Sequence, residues 1–211
     1  MSMRLGDLID SLIARLGERP DLEDLIIQEF KLAQYASLES GSFKPWFMLS
    51  EASTAPAAVG EERVPIPHDF MLEYEEGGVW VILSEYDKEL EKDDLDNLRA
   101  RYRHNQPGVP SYYALAGEYI RLFPAPVEQW RLRMLYWRRL PTLSTREETN
   151  LWLRYAFDLC LAETGYRVAS ATIDKLKMQE FAQERQQAWQ RLYVEHEARD
   201  HTNRGYQRGS R

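Results

Sequence analysis

Cysteine is almost missing from this chain: Cys160 is the only one in 211 residues. A single thiol excludes an internal disulfide and any zinc site built on several cysteines, and it suits a reducing compartment. Long apolar runs are missing too. No stretch approaches the roughly 18 consecutive apolar residues of a membrane-spanning helix. The opening Met1-Ser2-Met3-Arg4-Leu5-Gly6-Asp7 places an acid where a secretory signal would begin its apolar core. There is no Gly-x-Ser-x-Gly elbow, no P-loop and no Gly-x-Gly-x-x-Gly turn. Basic charge is in deficit, 27 Lys and Arg against 34 Asp and Glu, which argues against a dedicated nucleic-acid binder. What is present is ordinary for a globular chain: 44% apolar, 29% charged and 12% aromatic residues, too aromatic for disorder. The expectation is a soluble protein of one domain, or one domain with an elaborated extension.

The net charge of −7 is spread unevenly. Residues 1–50 carry −3, residues 51–100 carry −10, residues 101–150 carry +4 and residues 151–211 carry +2. A chain acidic in one part and basic in another suits assembly with its own copies or with a large partner.

Leu5, Leu8, Ile9, Leu12, Ile13 and Leu16 recur at helical spacing and predict one helix, ended by Gly17. Pro20 and Asp21 open a second, with Leu22, Leu25, Ile26, Phe30 and Ala33 on its apolar face and Ser40-Gly41 at its close. The short link predicts an antiparallel hairpin. Phe43–Leu49 reads as a strand and 52–62 as a loop. Val64-Pro65-Ile66-Pro67 is barred from the middle of a sheet by its missing N–H donors. Val79–Leu83 reads as a strand after a tight turn at Gly77-Gly78. Residues 85–98 hold seven acids and two lysines, with Asp93 or Asp94 capping a short helix that carries Leu95, Leu98 and Tyr102. Tyr112–Leu115 and Tyr119–Phe123 flank Ala116-Gly117-Glu118 as a hairpin. From Trp130 to Trp137 the chain alternates, with Leu132, Met134 and Tyr136 facing one way and Arg131 and Arg133 the other. Ser144-Thr145-Arg146-Glu147 fits a capping box ahead of a helix bearing Leu151, Trp152, Tyr155, Leu159 and Ala162. A last helix runs from about Ile173 to Glu197. Residues 199–211, with four Arg, one Asp and two Gly, hold too little apolar surface to fold alone.

The fold class expected is therefore α+β. An N-terminal helical hairpin (1–41) and C-terminal helices (141–198) form a bundle. A β-rich region with a short acidic helix (42–140) supplies a small antiparallel sheet, and 199–211 is an extended, flexible basic tail.

The candidate chemistry is thin. His196-Glu197 and His201 lie near one another, but histidines five apart sit about 140° around a helix, whereas one metal needs them four apart. Asp93, Asp94 and Asp96 lack the glycine of a calcium loop and read as a helix start. Cys160, among Leu159, Leu161 and Ala162, reads as core packing and not as a nucleophile. Arg131, Arg133, Arg138 and Arg139 alternate with Trp130, Tyr136 and Trp137, which permits base stacking but suits an Arg-rich exposed strand face better. A small hydrolase using paired carboxylates would need two acids facing each other in a deep cleft. No cofactor, metal or catalytic residue is expected.

The order of segments resembles the head-to-tail adaptor (connector) proteins of short-tailed, podovirus-type phages. The resemblance is carried by Pro110 to Pro126, written PSYYALAGEYIRLFPAP, and by the Tyr/Trp-rich strand that ends in Leu140-Pro141-Thr142-Leu143-Ser144. Thr149-Asn150-Leu151-Trp152-Leu153 then leads into Tyr155-Ala156-Phe157-Asp158-Leu159, where family members often have Pro in place of Phe157. Upstream, Val64-Pro65-Ile66-Pro67-His68-Asp69-Phe70 also matches. The resemblance implies a structural protein of the virion neck, assembled in the host cytoplasm, without cofactors or catalysis. It implies a homo-oligomeric ring, of twelve copies on the family pattern, under the portal protein. That ring docks tail or nozzle proteins and lets DNA pass without sequence-specific binding, and no membrane is involved. It also implies a portal-docking tail, here Arg199, Arg204, Tyr206, Arg208 and Arg211. Glu85, Asp87, Glu89, Glu91, Asp93, Asp94 and Asp96 are candidate channel-facing acids, since an acidic wall repels DNA phosphates. Another neck or tail-completion protein is the alternative.

Overall fold

The computed structural model describes residues 3–54, 56–74, 78–102 and 107–208, with the backbone alone for 200–208. In chain order the elements are α1 (Leu5–Arg15), α2 (Glu23–Ala33), β1 (Leu49–Ser53), β2 (Arg63–Pro65), β3 (Phe70–Glu73), β4 (Val79–Ile82), β5 (Asp87–Glu89), β6 (Glu91–Lys92), α3 (Leu95–Arg101), β7 (Tyr112–Ala116), β8 (Tyr119–Phe123), β9 (Arg131–Arg138), α4 (Leu151–Tyr155), α5 (Phe157–Ala171) and α6 (Lys175–Arg208). The class is α+β. The chain divides into a helical unit, Met1–Met48 with Leu140–Arg211, and a β-rich unit, Leu49–Arg139.

In the helical unit α5 packs against α1, α2, α4 and α6. The predicted face of α1 is buried at Leu5, Leu8, Ile9 and Leu12, and Gly17 leaves the helix at φ +86°. Pro20–Leu22 forms a 3₁₀ turn that starts α2, and α2 closes through a π turn at Gln34–Leu38. Two predictions need correction here. Phe43–Leu49 is not a strand: Trp46–Met48 is a 3₁₀ turn, and β1 begins only at Leu49. The Phe47 ring instead packs edge-on to Trp152 at 5.0 Å and stacks on Tyr155 at 5.5 Å. The capping box at Ser144 does not form either. Glu148, not Glu147, turns back to accept from the N–H groups of Ser144 and Thr145 at 2.5 and 3.0 Å. The same turn gives its carbonyls away, since Leu5 donates to Glu148 and Gly6 to Arg146 at the start of α1. A helix there would consume those acceptors. The true cap is Asn150, whose Oδ1 accepts from Leu153 N–H at 3.1 Å.

The helix is also interrupted. Ala156, at φ −137° and ψ 41°, separates α4 from α5. At the far end, α6 runs on to Arg208 and does not stop near Glu197, so the backbone of 199–208 is helical and the extended tail is corrected.

In the β-rich unit one sheet was too few. Two sheets share a core of Val64, Val79, Val81, Leu90, Tyr113, Ile120, Leu122, Leu132, Met134 and Tyr136. The first places β9 between β1 on one side and β4 with β3 on the other, and β5 lies beyond β4. Its third and fourth strands are one interrupted strand: β9 moves one residue, from Tyr136 to Leu135, while the opposing chain moves from Glu73 to Gly78. Both β3 and β4 run antiparallel to β9, and the tight turn expected at Gly77-Gly78 lies partly outside the described residues. A Cβ on Gly78 would stand 2.8 Å from the Leu135 carbonyl, which is why the ladder resumes on a glycine. The second sheet runs β2-β8-β7-β6, with Pro65 on an edge strand as its chemistry requires. Hairpin β7–β8 turns at Gly117, φ +61°, and β6 pairs parallel to β7. Buried Leu90 joins the sheets, its N–H bonding Val79 while Glu91 N–H bonds Ser111. Helix α3 covers the outer side of the hairpin through Leu95, Leu98 and Tyr102, against Ala114 and Phe123.

Candidate assembly surfaces

The seven acids predicted to face a channel occupy the Ser84–Glu85 turn, β5, β6 and the start of α3, and six of them are exposed. They do not form a uniform negative wall. Asp87 pairs with Arg133 at 2.9 Å, Asp93 with Arg101 at 3.1 Å and Asp96 with Arg99 at 3.8 Å. Asp94 is the N-cap of α3, accepting from Asp96 N–H at 2.8 Å. The N–H of Asp94 and the amide of Asn97, with Arg101, hold the Asp93 carboxyl below its usual range. Glu85, Glu89 and Glu91 have no ion-pair partner among the described residues. The signal missed in the sequence is the spacing between the acids and the arginines of α3 and β9.

Behind these acids a tighter pair is built. Glu73 accepts from the Tyr113 hydroxyl and carries Lys92 as its cation. Burial first, then the Glu73 carboxylate, push the Tyr113 phenol well above its usual range. Tyr136 shifts the same way, through burial and its hydrogen bond to Asp69 at 2.7 Å. Arg133 lies over the Trp80 ring at 4.9 Å while it pairs with Asp87, so it is spoken for and does not present a free stacking surface.

On the helical unit, the last helix is clamped by the segment after α2. Phe43 meets Trp189, Tyr193 and His196 at 6.2, 5.4 and 5.0 Å between ring centroids, and Trp46 stacks on His196 at 6.4 Å. His196 is therefore half-buried in an aromatic cluster, with Nδ1 buried and unpartnered, and not a bare surface histidine. Arg199, the first residue of the expected docking set, lies over Trp46 at 4.3 Å and pairs with Glu195 at 2.8 Å. The side chains of His201, Arg204, Tyr206 and Arg208, and all of Arg211, lie outside the described residues. Further along the unit, the break at Ala156 opens a cleft of about 420 Å³ lined by Leu153, Phe157, Leu159, Ala188 and Leu192. Its two acids, Asp158 and Glu195, are each paired with an arginine, Arg191 and Arg199. Cys160 is fully buried, and burial pushes its thiol above the usual range. Among the described residues no group of three or more His, Cys, Asp and Glu is placed to hold a metal, and no helix is long and apolar enough to cross a membrane.

The family model of the SU10 adaptor protein matches residues 3–210. The chain belongs to the SU10 adaptor protein family. No curated protein matches it. Membership agrees with the resemblance carried by Pro110–Pro126 and its neighbours, and makes this SU10 adaptor a phage adaptor: a structural component of the virion and not a member of a known enzyme class. The match spans residues of both units of this SU10 adaptor.

Proposed function

We propose that this SU10 adaptor assembles as a ring beneath the phage portal, twelve copies on the family pattern, extends the DNA channel and docks tail or nozzle components. The observation that carries the reading is the family match over residues 3–210. The uneven charge supports it, with −10 over residues 51–100 and +4 over the next fifty, because a closed ring joins two unlike flanks of each subunit. In this reading the last turns of α6, with Arg199, Arg204, Tyr206, Arg208 and the following Arg211, engage portal carboxylates, bidentate where geometry permits. Tyr206 is the large anchor of the kind that fills a pocket at an interface centre. Of the candidate channel acids Glu85, Asp87, Glu89, Glu91, Asp93, Asp94 and Asp96, the four without an ion pair among the described residues, Glu85, Glu89, Glu91 and Asp94, contribute most of the repulsion that keeps a duplex sliding. The protein resides in the virion neck after assembly in the host cytoplasm.

Reconstruction of the neck tests the ring: the expected result is this chain between portal and tail, and its location on the capsid shell, or as a tail-completion plug on a different ring, would overturn the assignment. Deleting 199–211 tests the docking element. A folded variant that no longer joins the portal is expected, and attachment at wild-type level returns docking to the folded body.

A further inference from the structure

The turn from α5 to α6 is built with the wrong residue for its backbone. Ile173 N–H donates to Ser170 at 3.2 Å and Asp174 N–H to Ala169 at 2.8 Å, the paired bonds of a Schellman helix end. Its left-handed position, normally glycine, holds Ile173 at φ +60°. A β-branched residue there is strained, because its Cβ crowds the neighbouring carbonyl. Nor is the side chain buried in compensation. Ile173 is 78% exposed and Leu176 73%, the two most exposed large apolar side chains among the described residues. Strain together with exposure marks a feature kept for something outside the free chain.

A receptor for such a knob lies on the same unit. At the opposite end of α5 the cleft at Ala156 offers Leu153, Phe157, Ala188 and Leu192 as apolar wall, with Arg154 among its polar residues. The 15 residues of α5 hold knob and cleft about 22 Å apart, so no chain fills its own cleft. The charges are complementary. Between Ile173 and Leu176 stand exposed Asp174, which also accepts from Lys177 N–H at 3.0 Å, and Lys175; Arg154 at the cleft has no carboxylate partner and Lys175 no ion pair among the described residues, and Glu195, which also carries Arg199 at 2.8 Å, lines the same cleft. We infer that the Ile173–Leu176 knob of one copy seats in the α4–α5 cleft of the next, with Asp174 against Arg154 and Lys175 against Glu195. A knob and a cleft on different ends of one rigid helix make a head-to-tail contact, the kind that closes a ring. The inference rests on the ring reading and names the two patches that join.

The test uses the full chain in assembled necks. Ile173→Cys and Arg191→Cys are combined, buried Cys160 being left in place, and treated with a short bifunctional thiol cross-linker. A ladder of linked multimers is expected from the double variant and none from either single variant. A ring seen in reconstruction without a ladder overturns the knob-and-cleft contact and spares the ring; absence of any ring overturns both. Ile173→Gly supplies an independent check, since it relieves the turn. Free protein of unchanged or raised denaturation midpoint, with at least tenfold less incorporation into necks, is expected. Incorporation at wild-type level overturns the inference.

Discussion

Gly165 on α5 lies directly under the Phe181 ring of α6: a Cβ on the glycine would stand 2.5 Å from Cε1 of that ring. Helix α5 is buried there on Thr164, Gly165 and Val168, and Phe181 is fully buried, so neither side has slack. Glycine is thus present for contact and not for its backbone freedom.

Gly165→Ala is expected to destabilise the helical unit. Overpacking costs about 1–3 kcal/mol, against a helix-propensity gain of about 1 kcal/mol. Urea unfolding should give a net loss of up to about 2 kcal/mol. Adding Phe181→Leu should cost less than the two single effects combined, because the pair shares one space; strict additivity would show that the contact is not tight.

A second prediction concerns Asn150. It caps α4, and its amide also donates to Gln34 at 3.1 Å and to the Pro141 carbonyl at 3.0 Å inside the buried cluster that holds Glu39. Asn150→Ala removes a cap and strands buried acceptors, so a loss of about 1–3 kcal/mol is expected. Asn150→Asp keeps the cap but turns a buried carboxylate oxygen toward the Gln34 and Pro141 acceptors, and should lose at least as much as alanine; equality with wild type would mean that the buried donors are idle.

Alkaline pH should destabilise the β-rich unit. Tyr113 and Tyr136 both have phenols raised in the folded chain, so the folded state holds their protons more tightly than the unfolded one. That stability is whole below the ordinary phenol pKa of about 10 and is lost as pH rises beyond it. The denaturation midpoint should stay level through neutral pH and drop above about pH 10, with a shallower drop in Tyr113→Phe. An identical profile in that variant would remove Tyr113 from the account.

Cys160 should behave as core. With no exposure and a raised thiol, it is expected to resist a disulfide-exchange reagent in the folded chain and to react at once in denaturant. Cys160→Ala should leave assembly intact. Fast labelling of the native protein would contradict the packing.

The helices and the hairpin were legible because their causes are local. The face of α1, the cap of α3, narrowed to Asp93 or Asp94, and the Gly117 turn each lie within a few residues of their effect. What was illegible depends on partners distant in sequence. Strands β5 and β6 are rich in Asp, Glu and Lys, which disfavour strands, and form because Val79–Ile82 and Tyr112–Tyr113 lie beside them. The non-helical turn at 144–148 exists because α1 needs its carbonyls. The clamp on α6 escapes an apolar count, since it comes from Phe43 and Trp46, distant in sequence. The cleft did carry a signal. Proline often stands at the position of Phe157 in the resembling family, and Phe157 is the first residue of α5, where proline is favoured.

The β-rich unit is continuous in sequence, whereas the helical unit is split around it. On the ribosome this fixes an order. Leu49–Arg139 is complete before α5 has been made, while α1 and α2 emerge first and their chief packing partner, α5, emerges only after the whole β-rich unit. At about 5–20 residues per second, the stretch from Ala33 to Phe157 keeps their apolar faces waiting for roughly 6–25 s. The apolar faces of α1 and α2 therefore stay uncovered by α5 for longer than it takes the β-rich unit to be synthesised.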